Sequence, residues 1–292
     1  MANTYTTAGS DPNIGGVYPQ EWEAKLQERL NKPTNWKEVC KVMFSTSWMI
    51  NSPYMSTEPT IQTGTRGTAY GFSDFTVIND QLNINQYRPI PAFIDRADLA
   101  QMTLVSQMEI ADRQGKAIDE HLESVVLAAH AGWTNFDNSS IGGAAGNIDV
   151  SVNNIDNIIR GIKREIVEND AQDLANEKGM FIVWRAADME MLEEFAQANG
   201  FVLADTALKN GIKSGYHFMG MDHYVSNSHT AGHLFGGVKK IMQVGILSTT
   251  YGKIVQTVDP NLQSGVGVIS RVDYGVNTPT GLVTSVFDIL VD

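Results

Sequence analysis

Four histidines fall within 17 residues of one another: His217, His223, His229 and His233, in HFMGMDHYVSNSHTAGH, with Asp222 among them. Imidazole nitrogens and carboxylates are the usual ligands of a divalent transition metal, and His229 and His233, four apart, would share an ion on one helix face. The residues between them, Thr230, Ala231 and Gly232, do not form a helical pattern, and no Glu is placed as a general base. The spacing therefore predicts loop histidines. A metal-dependent enzyme built on His217–His233 is the remotest reading of the sequence. Cys40 sits on an apolar stripe, where a thiol packs rather than attacks. The carboxylate pairs Asp119-Glu120 and Glu193-Glu194 lie among polar residues on helical patterns and read as solvated faces. There is no nucleotide-cradling glycine loop after a strand, no G-x-S-x-G elbow and no H-E-x-x-H. No catalytic residue, cofactor or metal is expected.

The composition points away from the same classes. Of 292 residues, 42% are hydrophobic and only 18% charged, with 21 Lys and Arg against 33 Asp and Glu. Five Trp, nine Tyr and eleven Phe exclude a disordered acidic tail, and one cysteine excludes a disulfide scaffold. A net charge of −12 with no basic block lacks the footprint of a phosphate-gripping protein. No apolar run reaches 18 residues, no signal-peptide pattern opens the chain, and a single cysteine suits a reducing compartment. What stands out is abundant Asn, Thr, Ser and Gly, uncharged polar surface of the kind that meets other protein.

The elements follow from periodicity. Residues 1–18 read as an arm, followed by an amphipathic helix with Trp22, Leu26 and Leu30 at i, i+4, i+8. A second helical stripe runs Trp36, Val39, Cys40, Met43, Phe44, Ser47. Between 51 and 93 the chain turns polar and glycine-punctuated. Alternation at Phe75–Val77 and Leu82–Asn85 predicts a two-stranded excursion with a Gly-rich first strand and a second strand ending near Pro89–Pro91. From Asp95, with Asp95 or Asp98 as cap, a 3.5–3.6 repeat reaches Gly132. It is one long helix over 96–131 or two helices broken near Gly115. The segment 152–245 reads as α/β: a helix over 155–167, a strand at Met180–Trp184, a helix over 188–198, and strands at His217–Ser226 and Lys239–Val244. Alternation returns at Lys253–Val258 and Leu282–Leu290. Arg66, Arg88, Arg96 and Arg113 are exposed or pair with a neighbour's acid.

This order of elements resembles the tailed-bacteriophage major capsid proteins of the Hong Kong 97 type. The residues that carry it are Leu82–Gln101, Met180–Trp184, Gly220–Asn227, Leu234-Phe-Gly236 followed by Lys239–Val244, and Asp273-Tyr-Gly275. The resemblance implies an α+β capsid fold in four parts. These are an N-terminal arm (1–50), an extended β-hairpin loop (51–93), a peripheral domain with a long spine helix (94–150 and 246–292), and an α/β axial domain (151–245). It implies a major capsid protein that self-assembles as pentamers and hexamers into an icosahedral head shell around double-stranded DNA. Subunit-interface candidates are then Trp22, Leu26, Leu30, Arg66, Phe75, Leu82, Ile84 and Arg88. Some relatives cross-link through a lysine on the extended loop, but no lysine occurs here between Lys41 and Lys116, so the shell is expected to be non-covalent. With no stretch before the arm long enough for a fused scaffold, a separate scaffolding protein is expected, with a portal and a decoration protein as further partners. Location in the virion, after assembly in the bacterial cytoplasm, follows from the same resemblance. An encapsulin-like nanocompartment shell is the alternative within the fold.

Overall fold

The computed structural model describes residues 34–56, 61, 63–67, 71, 76–95, 104–199, 216–251, 254–257 and 265–292. A single helical turn, α1 (Trp36–Val39), gives way at Cys40 to a strand, β1 (Lys41–Ser45). The helix expected from Trp36 to Ser47 is therefore cut short. Trp36, Val39 and Cys40 are buried, but Phe44, which a continuing helix would align with Cys40, is exposed. Val42 and Phe44, residue types at home on a pleated surface, extend in parallel register beside β10 (Gln243–Leu247).

The excursion is an antiparallel hairpin of β2 (Met49–Met55) and β3 (Val77–Asn83), with Met49 opposite Asn83 and Met55 opposite Val77. Its limits differ from those expected. The first strand precedes Gly64, Gly67 and Gly71 instead of containing them. The second strand stops at Asn83. Pro89 and Pro91 belong to another element, β4 (Gln86–Asp95), which pairs with β12 (Gly265–Asn277) in a different sheet. β4 is an edge strand, the place where a residue without an N–H is tolerated.

That sheet runs β1-β10-β12-β11, with β11 (Ile254–Thr257), and with β4 on the other side of β12. One of its faces carries α2 (Leu104–Ala128), a continuous helix that includes Gly115 and spans about 37 Å at 1.5 Å per residue. Over the described residues this is the one-helix reading. Asp95 ends β4 instead of capping the helix, and Asp98 lies outside the described residues. Ile118, Leu122 and Val126 form the buried stripe of α2. Polar contacts fix its alignment along β12: Ser270 Oγ donates to Gln114 Oε1, and His121 Nε2 meets the Tyr274 hydroxyl at 2.9 Å.

The second sheet has the order β5 (Thr134–Phe136), β13 (Val286–Leu290), β9 (His233–Val238), β6 (Met180–Trp184), β8 (Met221–Val225), β7 (Tyr216–Phe218). On one side lies α3 (Ile155–Glu168), whose Ile155, Ile158, Ile159, Ile162 and Ile166 are all buried. The short α4 (Gln172–Lys178) and α5 (Ala186–Ala198) complete this unit. The strand at 180–184 and the helices near 155 and 188 stand as expected. The strand expected over 217–226 is split into the β7–β8 hairpin at the Met219-Gly220 turn.

The expected grouping of 246–292 with 94–150, apart from 151–245, does not describe the sheets. β10 lies in the α2 sheet, and β13 returns to pair with β9 and β5. The chain crosses between the sheets at both places, so one contiguous core runs from Trp36 to Val291 through both layers.

Candidate functional site

The hairpin root rests on the face of the first sheet opposite α2. In strand β10 Gly245 lies directly across from Gly275 of β12. This pair of missing side chains makes a flat saddle. A Cβ on Gly275 would stand 2.0 Å from the Asn83 carbonyl oxygen, and one on Gly245 would stand 2.7 Å from Leu82 Cδ2. Strand alternation therefore turns Ile50 and Leu82 inward onto the saddle, with Ile84 following, and Leu82 and Ile84 are 1% and 2% exposed. Further out, Asp80 accepts hydrogen bonds from the Thr280 amide (2.8 Å) and hydroxyl (2.9 Å), spanning a cleft of about 380 Å³ between the hairpin and the 3-10 turn Thr280–Ser285.

The outward positions are Met49, Asn51, Pro53 and Met55 on β2, and Val77, Asn79, Gln81 and Asn83 on β3; none carries a charge. Met55 and Val77, a directly opposed pair, are 54% and 63% exposed. Among the described residues every large exposed hydrophobic except Val167 falls between Phe44 and Phe93. An apolar strip rimmed by amides is the make-up of a protein contact surface.

The expected interface residues divide accordingly. Leu82 and Ile84 are corrected: they are covered by their own chain and have almost no surface left to give a partner. Arg66 is exposed in a turn beyond the end of β2. Arg88, also exposed, is bound within the chain, donating to the Tyr87 carbonyl at 3.0 Å. Trp22, Leu26, Leu30 and Phe75 lie outside the described residues. Met49, Met55 and Val77, which the sequence reading does not single out as interface residues, are the large exposed apolar side chains of the hairpin's outer face. Their signal was the opposite parity of the same alternation.

The start of α1 is fastened separately. Glu123, buried on α2, accepts the amide hydrogens of Trp36 (2.7 Å) and Asn35 (2.9 Å), closing the start of α1 against the long helix. Burial pushes its carboxyl up from the ordinary range, against the pull of those amides.

The four histidines do not converge. His217 pairs with Asp222 at 2.7 Å. Burial alone would raise the Asp222 carboxyl, but hydrogen bonds from Lys239 and His217 outweigh it and hold it below the usual range. His223 is fully buried, accepting from Trp184 Nε1–H at Nδ1 (2.8 Å) and donating from Nε2 to the Phe218 carbonyl (3.0 Å). Both nitrogens are thus committed to the neutral ring, and burial lowers its pKa to about 4. His229 is lowered to about 4 by burial as well. His229 and His233, four apart in sequence, are not brought together on a helix. His233 meets His130 and Asp288 instead.

A pH dependence follows. The unfolded ring takes up a proton near pH 6.5 while the folded one resists to about 4, so stability present above pH 6.5 is lost as pH falls between these values. At 1.36 kcal/mol per unit the loss from His223 is about 3 kcal/mol. Urea unfolding at pH 7 and pH 4.5 is expected to show a smaller difference for His223→Gln than for the natural chain. Equal differences would mean that the fold does not depress the His223 pKa.

Neither a protein-family model nor a curated protein matches the sequence. Solved structures do match. A chain from Mycobacterium phage Che8 shares 13% identity at a TM-score of 0.68, over 93% of this chain and 96% of its own. The capsid structure of the cyanophage P-SCSP1u covers 100% of this chain and 99% of its own, at TM-score 0.62 and 13% identity. The mature capsid of bacteriophage PhiM1 covers 99% and 97%, at TM-score 0.61 and 10% identity. The chain has the Hong Kong 97-type capsid fold. The likeness extends over 93–100% of this chain in these three structures.

Proposed function

We propose that this chain is the major capsid (coat) protein of a tailed bacteriophage, assembling with copies of itself into a head shell around double-stranded DNA. The observation that carries the reading is the uncharged apolar outer face of the β2–β3 hairpin, left bare by its own chain on a fold shared with phage capsid subunits. In this reading the hairpin lies across a neighbouring copy. The α2 sheet is the peripheral region, and the α3 sheet meets its equivalents around five- and six-fold axes, a heterologous contact that closes into rings. The role is structural and the location is the virion. Among the described residues no helix is long and apolar enough to cross a membrane. A net charge of −12 suits a container that does not grip its nucleic acid. A separate scaffolding protein, a portal and a decoration protein would be its partners.

Expression of the full chain and electron microscopy test this. Shells, tubes or polyheads are expected, and a homogeneous monomer at high concentration would overturn the reading. With no lysine between Lys41 and Lys116, boiling the particles in SDS is expected to release monomers. A ladder of covalent oligomers would refute non-covalent interlocking.

A further inference from the structure

We propose that His130, His233 and Asp288 form a binding site for a divalent transition metal of the zinc type, one that clamps the end of the long helix to the second sheet. The proposal is independent of what the hairpin does. Three elements distant in sequence bring the residues together. His130 lies in the 3-10 turn Ala129–Gly132 that continues α2, His233 opens β9, and Asp288 lies in the middle of β13. The pairing of His233 with Leu290 and of Asp288 with Phe235 puts His233 and Asp288 on one face of the sheet. On that face Trp133 stacks on Phe235 with centroids 3.9 Å apart, which brings His130 over His233.

The distances suit a shared ion. His233 Nδ1 is 2.9 and 3.0 Å from the two Asp288 oxygens, and His130 Nδ1 is 3.4 Å from Oδ2. Ligands bonded at about 2.1 Å to one ion stand about 3.0–3.4 Å apart at octahedral or tetrahedral angles. At 3.4 Å the His130 contact is longer than an ordinary hydrogen bond. One nitrogen from each ring and a carboxylate oxygen all lie within 4.8 Å of one another.

Charge points the same way. The Asp288 side chain is 4% exposed, and among the described residues its only ion-pair partners are these two histidines, charged only when protonated. A buried carboxylate whose partners here are two imidazoles has no permanently charged group beside it, and a divalent cation supplies one. The His130 and His233 side chains are 20% and 26% exposed, enough for an ion to enter and for water to complete its coordination. Two imidazoles and one carboxylate favour zinc, cobalt or nickel over magnesium or calcium. Ligation at both Nδ1 atoms would put the ring protons on Nε2 and would require the rings, stacked with centroids 3.8 Å apart and planes 20° apart, to tilt so that both lone pairs meet the ion.

Titration of the full chain with Zn²⁺ alone is expected to show one ion per chain. His130→Ala and His233→Ala should each weaken binding by at least about 100-fold, since even an outer-shell change costs 10–100-fold. His217→Ala, outside the cluster, should leave it unchanged. A second measurement needs no variant. In the natural chain, Zn²⁺ should protect His130 and His233, but not exposed His217, from diethylpyrocarbonate, read by mass spectrometry. No binding at about 0.1 mM free Zn²⁺, binding undiminished in both variants, or equal labelling of all three histidines would each overturn the proposal.

Discussion

Met55→Asp with Val77→Asp is expected to yield a folded subunit that no longer closes into shells. The two side chains oppose each other on the outer face of the hairpin and are more than half exposed, so neither supports the subunit's own core. A single surface change costs a subunit about 0.5 kcal/mol. Two carboxylates opposed across the strand pair add up to about 1 kcal/mol more, which a folded domain tolerates. In an assembled shell the same positions would lie against a neighbour. Burying each apolar side chain there contributes about 1.5–3 kcal/mol. A carboxylate put in its place would be desolvated without a partner, at a cost of several kcal/mol more. Each subunit lends its hairpin once, so the penalty recurs at every contact of the shell. Sedimentation and electron microscopy should find free subunits or small oligomers that still unfold cooperatively, at a midpoint only slightly below that of the natural chain. Shells of normal yield from the double variant would show that this face is not the contact.

Gly275→Ala is expected to cost about 3 kcal/mol, at the upper end for overpacking a tight site, and to displace the hairpin root. The new Cβ would meet the Asn83 carbonyl oxygen at 2.0 Å and its carbon at 2.8 Å, both backbone atoms that no rotamer change can remove. Gly245→Ala is the instructive contrast. Its nearest obstacle is the Leu82 side chain at 2.7 Å, which can yield. Leu82→Ala should therefore recover part of the loss in a Gly245→Ala chain and none of it in Gly275→Ala, a coupling that a double-mutant cycle measures. Equal recovery in both would mean that the two glycines do not form the saddle described.

How much of this was legible in advance depended on whether an element's partners lie near it in sequence. The stripe of α3 and the apolar run of β6 are complete signals within one element, and both were read correctly. β1 carried an equally good helical stripe and became a strand, because β10, some two hundred residues away, offers it a parallel partner. β12, the longest strand described, went unread although Val266, Val268, Val272, Tyr274 and Val276 alternate through it. Its glycines at 265, 267 and 275 look like loop punctuation until the hairpin root is seen on Gly275. The interface followed the same pattern. Sequence located the hairpin that carries the bare apolar face, but not which parity of β3 faces outward, because that is set by the saddle in a different sheet. His233 was noticed for the wrong neighbour: its companions, His130 and Asp288, stand about a hundred and about fifty-five positions away.

The seat of the hairpin also sets a scale. A seven-residue strand is about 23 Å long, so a tilt of about 5° at the glycine saddle moves its far end by about 2 Å. Backbone contact at Asn83 and the Asp80–Thr280 bonds across the cleft hold that tilt. Repeated around a closed surface, a change of a few degrees becomes a change of curvature. The diameter of a shell built from this chain would then be written in a glycine pair and one aspartate.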